Sequence, residues 1–298
     1  MKINKVVIPV AGLATRMFPA TKAVPKSMLP VYSKPTLQYV IEEVVEAGIE
    51  HIILIVNEDC STIDKHFNLE IDDRILKSSN ILKNDIEDLE KTLKCKIDFV
   101  VQKEQKGLGH AILCAKDCIG NEDFCVVLGD VIIYSNTKSC TSQLIDIYNK
   151  YQKTVVGVEE ILPENRKKYG ILEGKLLEDN IYNSNRLVEK PDEGETDSNL
   201  AMVGRYIVKN EIFKFLENQV AGKNGEIQFT DSLNKFSVNG ELLGVRFKGK
   251  TYDVGNRLGV LIANIEFGLR DISNRESIKF YLNNLVNSNF EIGDKSEI

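Results

Sequence analysis

KVVIPVAGLATRMFPATKAVPKSMLP, residues 5–30, opens with an apolar run from Val6 to Val10 that breaks at Ala11-Gly12. A short apolar run ending in small turn residues predicts a buried strand that feeds a loop. The loop carries Thr15, Arg16, Thr21, Lys22 and Lys26, and Pro19, Pro25 and Pro30 stiffen it. Small residues let backbone N–H groups approach a ligand, and cations with little room to retreat suit a polyphosphate. Two familiar phosphate loops are excluded. A dinucleotide fingerprint needs three glycines, and after Gly12 the matching positions hold Ala14 and Met17. A P-loop needs glycine before Lys-Ser, and Lys26-Ser27 follows Pro25.

The chain continues in alternating strand and helix signals up to residue 130. Leu37, Val40, Ile41 and Val44 recur at helical spacing between Pro35 and Gly48. Residues 52–56, 97–101 and 124–128 are further apolar runs; Ile86, Leu89 and Leu93 mark an amphipathic helix, and 109–118 another. This rhythm predicts an α/β fold, a Rossmann-like and mostly parallel sheet flanked by helices. Ligands in such folds bind outside the carboxyl ends of the strands, so Arg16, Gln102 and Asp130 are expected on one rim.

From residue 154 the strands shorten, at 155–159, 170–172, 186–189 and 201–208, which predicts a smaller antiparallel extension holding a second substrate. A helix at 211–216, a loop at 222–225, a helix at 230–236 and a strand at 243–247 follow. Leu258, Leu261, Ile262, Ile265 and Leu269 then predict a long helix, and 277–285 a tail helix. Without repeats or linkers, residues 1–270 are expected to form a single domain. Within it, 1–135 form a nucleotide-binding part and 150–256 a sugar-phosphate-binding part, and 271–298 add a helical tail suited to packing a homo-oligomer, dimer or tetramer.

Composition narrows the class. With 298 residues and 43% apolar content, the chain can bury one large core. A net charge of −6 argues against general affinity for nucleic acid or an anionic membrane, so an anion site must be a local basic cluster. No apolar run is long enough to span a bilayer. The start passes from Lys2 and Lys5 directly into a strand, which predicts no signal peptide and a cytoplasmic protein. The six cysteines form no CxxC pair and only three histidines accompany them, so a structural zinc site is not indicated, and reduced thiols are expected.

Three constellations carry chemistry. Leu128-Gly129-Asp130 sets a carboxylate at the end of an apolar strand, where it must be paired, cap a turn or hold a cation. Beside a phosphate loop a hard divalent cation is the better reading, since Mg²⁺ takes one or two carboxylates plus phosphate oxygens. Asp253, before Gly255, is the natural second ligand. In QKEQKGLGHA, Gln102 offers an amide donor and acceptor that match one edge of a pyrimidine, with Gly107 and Gly109 nearby, although an ordinary glycine-rich helix start fits the spacing equally. Glu189-Lys190 are neighbours on a strand, so they are expected on opposite faces rather than as a surface ion pair.

These motifs together resemble the sugar-1-phosphate nucleotidylyltransferases, whose pattern runs Gly-x-Gly-Thr-Arg, x-x-Pro-x-Thr-Lys, x-x-Pro-Lys-x-x-Leu-Pro. The nearest branch uses UTP and glucose 1-phosphate. Ala14 departs from its second glycine and Ser27 from its usual glutamate. The resemblance spans residue 5 to about residue 270 and implies Mg²⁺-dependent nucleotidyl transfer. It implies a nucleotide site at Ala11, Gly12, Ala14, Thr15, Arg16, Lys26, Gln102 and Gly107, with Asp130 and Asp253 on the metal. It further implies a sugar site at Gly170, Glu189, Lys190 and Asn199, and Arg16, Lys26, Asp130 and Lys190 as catalytic groups. The runs 201–206 and 225–231 also match, with no role assigned. Three other readings stay open: transfer from dTTP or to another sugar, a non-catalytic nucleotide-sugar-binding paralogue, and, more weakly, a metal-dependent glycosyltransferase.

Overall fold

A computed structural model describes residues 2–12, 14–68, 83–222 and 225–287, with positions 71, 74 and 77. Parts of two expected features, 223–224 of the loop and 288–298 of the tail, lie outside the described residues. The chain forms one nine-stranded sheet. Strands β1 (Lys5–Pro9), β4 (His51–Val56), β5 (Lys96–Val101) and β6 (Phe124–Val127) are its parallel half, in the order β5-β4-β1-β6. Two short strands, β2 (Pro30–Val31) and β3 (Lys34–Pro35), make a separate hairpin after the proline-rich loop.

Strands β1, β4 and β6 are apolar along their centres because both of their faces are covered, whereas the edge strand β5 is only partly buried and carries Lys96 and Asp98. Val6, Ile8, Ile52, Leu54 and Val56 pack on one side with helix α1 (Thr36–Glu46), through Leu37, Val40, Ile41 and Val44. The alternate positions Val7, Ile53 and Ile55 face the opposite layer, which holds Ala111 and Ile112. Period-two alternation thus splits each strand between two cores.

The expected extension is present but is continuous with this sheet. Strand β11 (Leu200–Val208) runs antiparallel to β6 and joins the halves; β8 (Thr154–Glu160), β12 (Leu242–Arg246), β10 (Ile181–Glu189) and β9 (Gly170–Glu178) follow outward. The outer pair is a long hairpin rather than two short strands. The far end of β9, residues 174–178, is exposed on both faces, so it lacks the alternating pattern that would have marked its length. The segment 131–153, to which the sequence assigned nothing, forms strand β7 (Val131–Tyr134) and a helix (Cys140–Tyr151) whose N-cap Ser139 accepts the Ser142 N–H. Strand β7 pairs with β13 (Lys250–Asp253), and both pack on helix Arg257–Arg270 through Ile132, Tyr252, Ala263 and Phe267. The expected 109–118 helix divides at Ala115 into Leu108–Cys114 and Lys116–Ile119. Among the described residues no helix is long and apolar enough to cross a membrane.

One buried ion pair ties these layers together. Arg205 on β11 is fully buried, and its guanidinium donates to both Glu43 carboxylate oxygens, at 2.7 Å from Nη2 to Oε2 and 3.0 Å from Nε to Oε1. Nη2 also donates to the Val131 carbonyl at 2.9 Å, and Glu43 Oε1 accepts from the Thr141 hydroxyl at 2.7 Å. Burial alone would lower the Arg205 pKa, yet the Glu43 charge raises it. The Gly204-Arg205-Tyr206 motif is therefore a brace between α1, β11 and the backbone immediately after Asp130.

Candidate active site

Two cavities open along the carboxyl ends of the parallel strands and the adjoining antiparallel half. The first, of about 340 Å³, is lined by Val10, Ala11 and Gly12 after β1, by Lys26 and Ser27, by Gln102 after β5, by Gly107, by Leu128–Asp130 after β6, and by Glu226. The parallel topology dictates this gathering, since each strand delivers its following loop to the same rim. Ser27 is buried, and its hydroxyl has no hydrogen-bond partner, so a polar side chain in the cavity wall is left for a ligand to satisfy.

Lys26 and Asp130 meet in this wall, with Nζ 2.5 Å from Oδ2, both partly shielded from solvent. Without a ligand each neutralises the other. An incoming polyphosphate and cation would exchange that pairing for two others between opposite charges, Lys26 to phosphate and Asp130 to the cation.

The segment 106–109 is held by the 225–228 loop: the Ile227 N–H donates to Lys106 O at 2.8 Å, and the Gly109 N–H to Ile227 O at 2.8 Å. Gly107 has φ +96°, and a Cβ there would lie 2.8 Å from the Glu226 Cβ and 3.0 Å from the Ile227 carbonyl oxygen. Only glycine fits both the conformation and the approach. Gln102 is buried beside it, with Nε2 3.3 Å from Gly107 O and 3.0 Å from His110 Nδ1.

The second cavity, of about 870 Å³, is strongly basic: Arg16, Lys167, Lys168, Lys190 and Lys250 line it together with Tyr169, Asp253 and Asn256. Arg16 thus borders this space and not the first, departing from the single rim expected for Arg16, Gln102 and Asp130. The reason is local: Ala14 takes the left-handed conformation, φ +53° and ψ +35°, and Thr15–Met17 follow as a 3-10 turn. The Ala14 carbonyl accepts from the Thr21 hydroxyl and the Met17 N–H, each at 3.0 Å, which fixes the turn. Thr15 and Arg16 are exposed on it.

Glu189 stands opposite Gly170 in the β9–β10 register and accepts a hydrogen bond from the Thr230 hydroxyl at 2.5 Å. Lys190 lies just beyond the strand with φ +44°, so its side chain is not on the opposite face as strand alternation would require. Its Nζ instead lies 3.5 Å from Glu189 Oε1. Burial, then the nearby Asp253 and Glu159 charges, raise the Tyr169 pKa and keep its hydroxyl protonated. The Asn199 amide oxygen accepts from Arg166 Nε at 2.9 Å, and Asn199 lines neither cavity.

Asp130 lines the first cavity and Asp253 the second. Asp253 Oδ1 accepts the Gly255 N–H at 2.9 Å and Oδ2 accepts from Asn256 Nδ2 at 3.0 Å, which orients the carboxylate. A Cβ on Gly255 would sit 2.9 Å from Asp130 Oδ2 and 3.0 Å from Asp253 Oδ1. Two carboxylates therefore face one small space that glycine leaves open. Hard oxygen donors in such a cradle fit a divalent cation that takes its remaining ligands from phosphate and water.

Several contributors escaped the sequence reading. Thr230 and Glu226 fall in the 225–231 run, which matched the family but carried no assigned role, and His110 in the quoted QKEQKGLGHA segment. Lys167 and Lys168 give no signal beyond a charge pair next to Tyr169.

The nucleotidyl transferase family model matches residues 5–265, and the chain belongs to that family. It is 42% identical over 290 residues to the UTP–glucose-1-phosphate uridylyltransferase of Bacillus subtilis (strain 168), covering 96% of this chain and 98% of that protein. A UDP-glucose pyrophosphorylase solved in complex with UDP-glucose superposes with a TM-score of 0.83 at 37% identity, covering 89% of this chain and 98% of the other. A UTP-bound UGPase from Acinetobacter baumannii gives 0.82 at 33%, covering 95% and 100%.

Proposed function

We propose that this member of the nucleotidyl transferase family transfers a uridylyl group from UTP to α-D-glucose 1-phosphate, giving UDP-glucose and pyrophosphate. The observation that carries this reading is a close pair of carboxylates, Asp130 and Asp253, one lining each of two anion-compatible cavities. One cavity is walled by a glycine-containing loop, Lys26 and a buried amide; the other is ringed by cations. Relatives named for this activity match the chain over nearly its whole length.

In this reading the first cavity takes UTP, with Ala11, Gly12, Ala14 and Thr15 offering a close backbone and Lys26 meeting the triphosphate. Gln102 and Gly107 meet the base. Gly170 and Glu189 hold the glucose, and Lys190 brings in its phosphate. Asn199 serves this pocket indirectly, by bracing the Arg166 segment. Arg16, at the border, contacts the second anion as the two substrates approach. A sugar-phosphate oxygen attacks the α-phosphorus in line and pyrophosphate leaves, so no covalent enzyme intermediate is needed. The nucleophile is already anionic, and the protein's task is positioning and charge neutralisation rather than general-base catalysis. Asp130 and Asp253 would hold Mg²⁺, which when bound screens the triphosphate and polarises the reacting phosphate.

Residues 1–135 and 150–256 serve as the nucleotide and sugar-phosphate parts of one domain. A cytoplasmic location follows from the intracellular nucleotide substrate. We also infer a homo-oligomer, supported by Ile272, Phe280, Tyr281 and Val286, which are 64–83% exposed on or beside the last described helix, Arg275–Asn287. Light scattering on the purified chain tests that point.

The activity is tested by pyrophosphate release across a panel of nucleoside triphosphates and sugar 1-phosphates. UTP with glucose 1-phosphate is expected to lead, chelation to abolish turnover, and added Mg²⁺ to restore it. Preference for CTP, or for an N-acetylated sugar, would overturn the assignment.

A further inference from the structure

We propose that His110 is a positioning residue that fixes the amide of Gln102 so that the site presents only an acceptor to the nucleobase. The inference rests on the assignment of the first cavity to the nucleotide. Gln102 is 7% exposed, and a single atom, Nε2, faces both the Gly107 carbonyl at 3.3 Å and His110 Nδ1 at 3.0 Å. A backbone carbonyl can only accept, so the Gly107 oxygen favours the NH₂ end of the amide, but at 3.3 Å it holds that end weakly, and the 3.0 Å contact to His110 Nδ1 is what fixes it. Turning the amide over would set two oxygens against each other.

With the NH₂ group so placed, its second hydrogen points to His110 Nδ1, which must offer a lone pair, and the ring proton sits on Nε2. Both Gln102 hydrogens are then committed within the protein. Among the described residues no donor reaches its carbonyl oxygen, while Gln102 lines the cavity. The group left for a ligand is an acceptor. Uracil offers N3–H to such a group, and thymine does the same. Cytosine presents a lone pair at N3, and two acceptors then face each other in a buried site. Base selection therefore comes from a side chain that is not itself required to touch the base.

His110 is half-buried on helix Leu108–Cys114, so its substitution need not unfold the domain. The test compares kcat/KM for UTP and CTP, with glucose 1-phosphate as partner, in the wild type, His110→Leu and His110→Asn. Leucine removes the acceptor; the asparagine Oδ1 retains one near the position of Nδ1. His110→Leu is expected to lower the UTP-to-CTP ratio about tenfold or more, while His110→Asn keeps it within about threefold. The UTP-to-TTP ratio and the KM for glucose 1-phosphate should stay unchanged in both, which a general packing defect would not allow. The proposal is overturned if His110→Leu melts like the wild type and keeps its discrimination, or if the two variants lose it equally. His110→Ala takes the place of the leucine variant should that one fail to fold. A wild-type enzyme that itself prefers CTP would overturn the uridylyl assignment, a result separate from either of these.

Discussion

The parallel and antiparallel halves of the sheet build their cavities by different means. In the parallel half, β1, β5 and β6 each end at the same rim, and every loop arrives beside the others because the strands share a direction. In the antiparallel half no such rule operates. Lys168 and Lys190 flank the β9–β10 edge hairpin, while Arg16 reaches in from the left-handed turn after β1 and Lys250 from β13 in the small sheet with β7, so particular contacts bring the four together. The first cavity is thus a property of topology and the second a property of particular contacts. Substitutions at the junction should damage both, whereas substitutions inside one half should separate them.

The largest expected effect lies at the brace between the halves. Removing one partner of the Arg205–Glu43 pair leaves a buried charge uncompensated, which costs about 3–5 kcal/mol. Glu43→Gln or Arg205→Met should lose this in urea unfolding, and activity with both substrates should fall together. The double variant Glu43→Leu with Arg205→Met should recover much of the stability. If the single variants unfold like the wild type, the pair does not hold the halves together.

Next in size is the carboxylate cradle. Asp130→Asn is expected to cost ~3–4 kcal/mol of barrier, two to three decades in turnover at saturating Mg²⁺. Asp253→Asn should cost less, because water can complete the coordination. Near-normal turnover in Asp130→Asn would reduce Asp130 to a counter-ion for Lys26. A Lys26→Ala, Asp130→Asn cycle sharpens the point: residues sharing one contact should show non-additive effects, by about 0.5–3 kcal/mol.

The comparison itself is broken or upheld by two lysines. Lys26→Ala should weaken use of UTP, and Lys190→Ala use of glucose 1-phosphate. Each loses a hydrogen bond to a charged group worth about 1.5–3 kcal/mol, or roughly 10–100-fold in the affected KM, with a much smaller change for the other substrate. Equal defects toward both substrates in both variants would show that the cavities act as one.

The same contrast explains what could be read from the amino-acid order. Strands 5–9, 51–56 and 124–127 were legible because burial on both faces makes them apolar runs, and the edge strand 96–101 through its apolar end, residues 99–101; Asp130, Gln102 and Lys26 were legible because they follow such runs. The helix Cys140–Tyr151 carries a readable cap at Ser139. Strand β7 was not readable in the same way, since its partner β13 lies more than a hundred residues away and only that pairing makes it a strand. Lys190 was expected opposite Glu189 because alternation assumes an extended backbone, and its positive φ suspends the assumption. Thr230 and His110 were in view as letters, but their partners Glu189 and Gln102 became known only with the fold.

The smallest expected effect concerns Ala14, where the chain departs from the family's glycine. Its φ of +53° carries a Cβ penalty that glycine would not have. The strain is present without any ligand, so its relief belongs to folding and not to nucleotide binding. Ala14→Gly should therefore stabilise the protein by less than about 1 kcal/mol, because the greater freedom of glycine in the unfolded chain offsets part of the gain. A β-branched residue has the opposite balance, and Ala14→Val should destabilise by about 1–2 kcal/mol. Urea unfolding of the pair gives the sign directly. If valine is tolerated as well as glycine, the turn carries no strain at Ala14, and the Thr21 and Met17 hydrogen bonds alone hold Arg16 toward the second cavity.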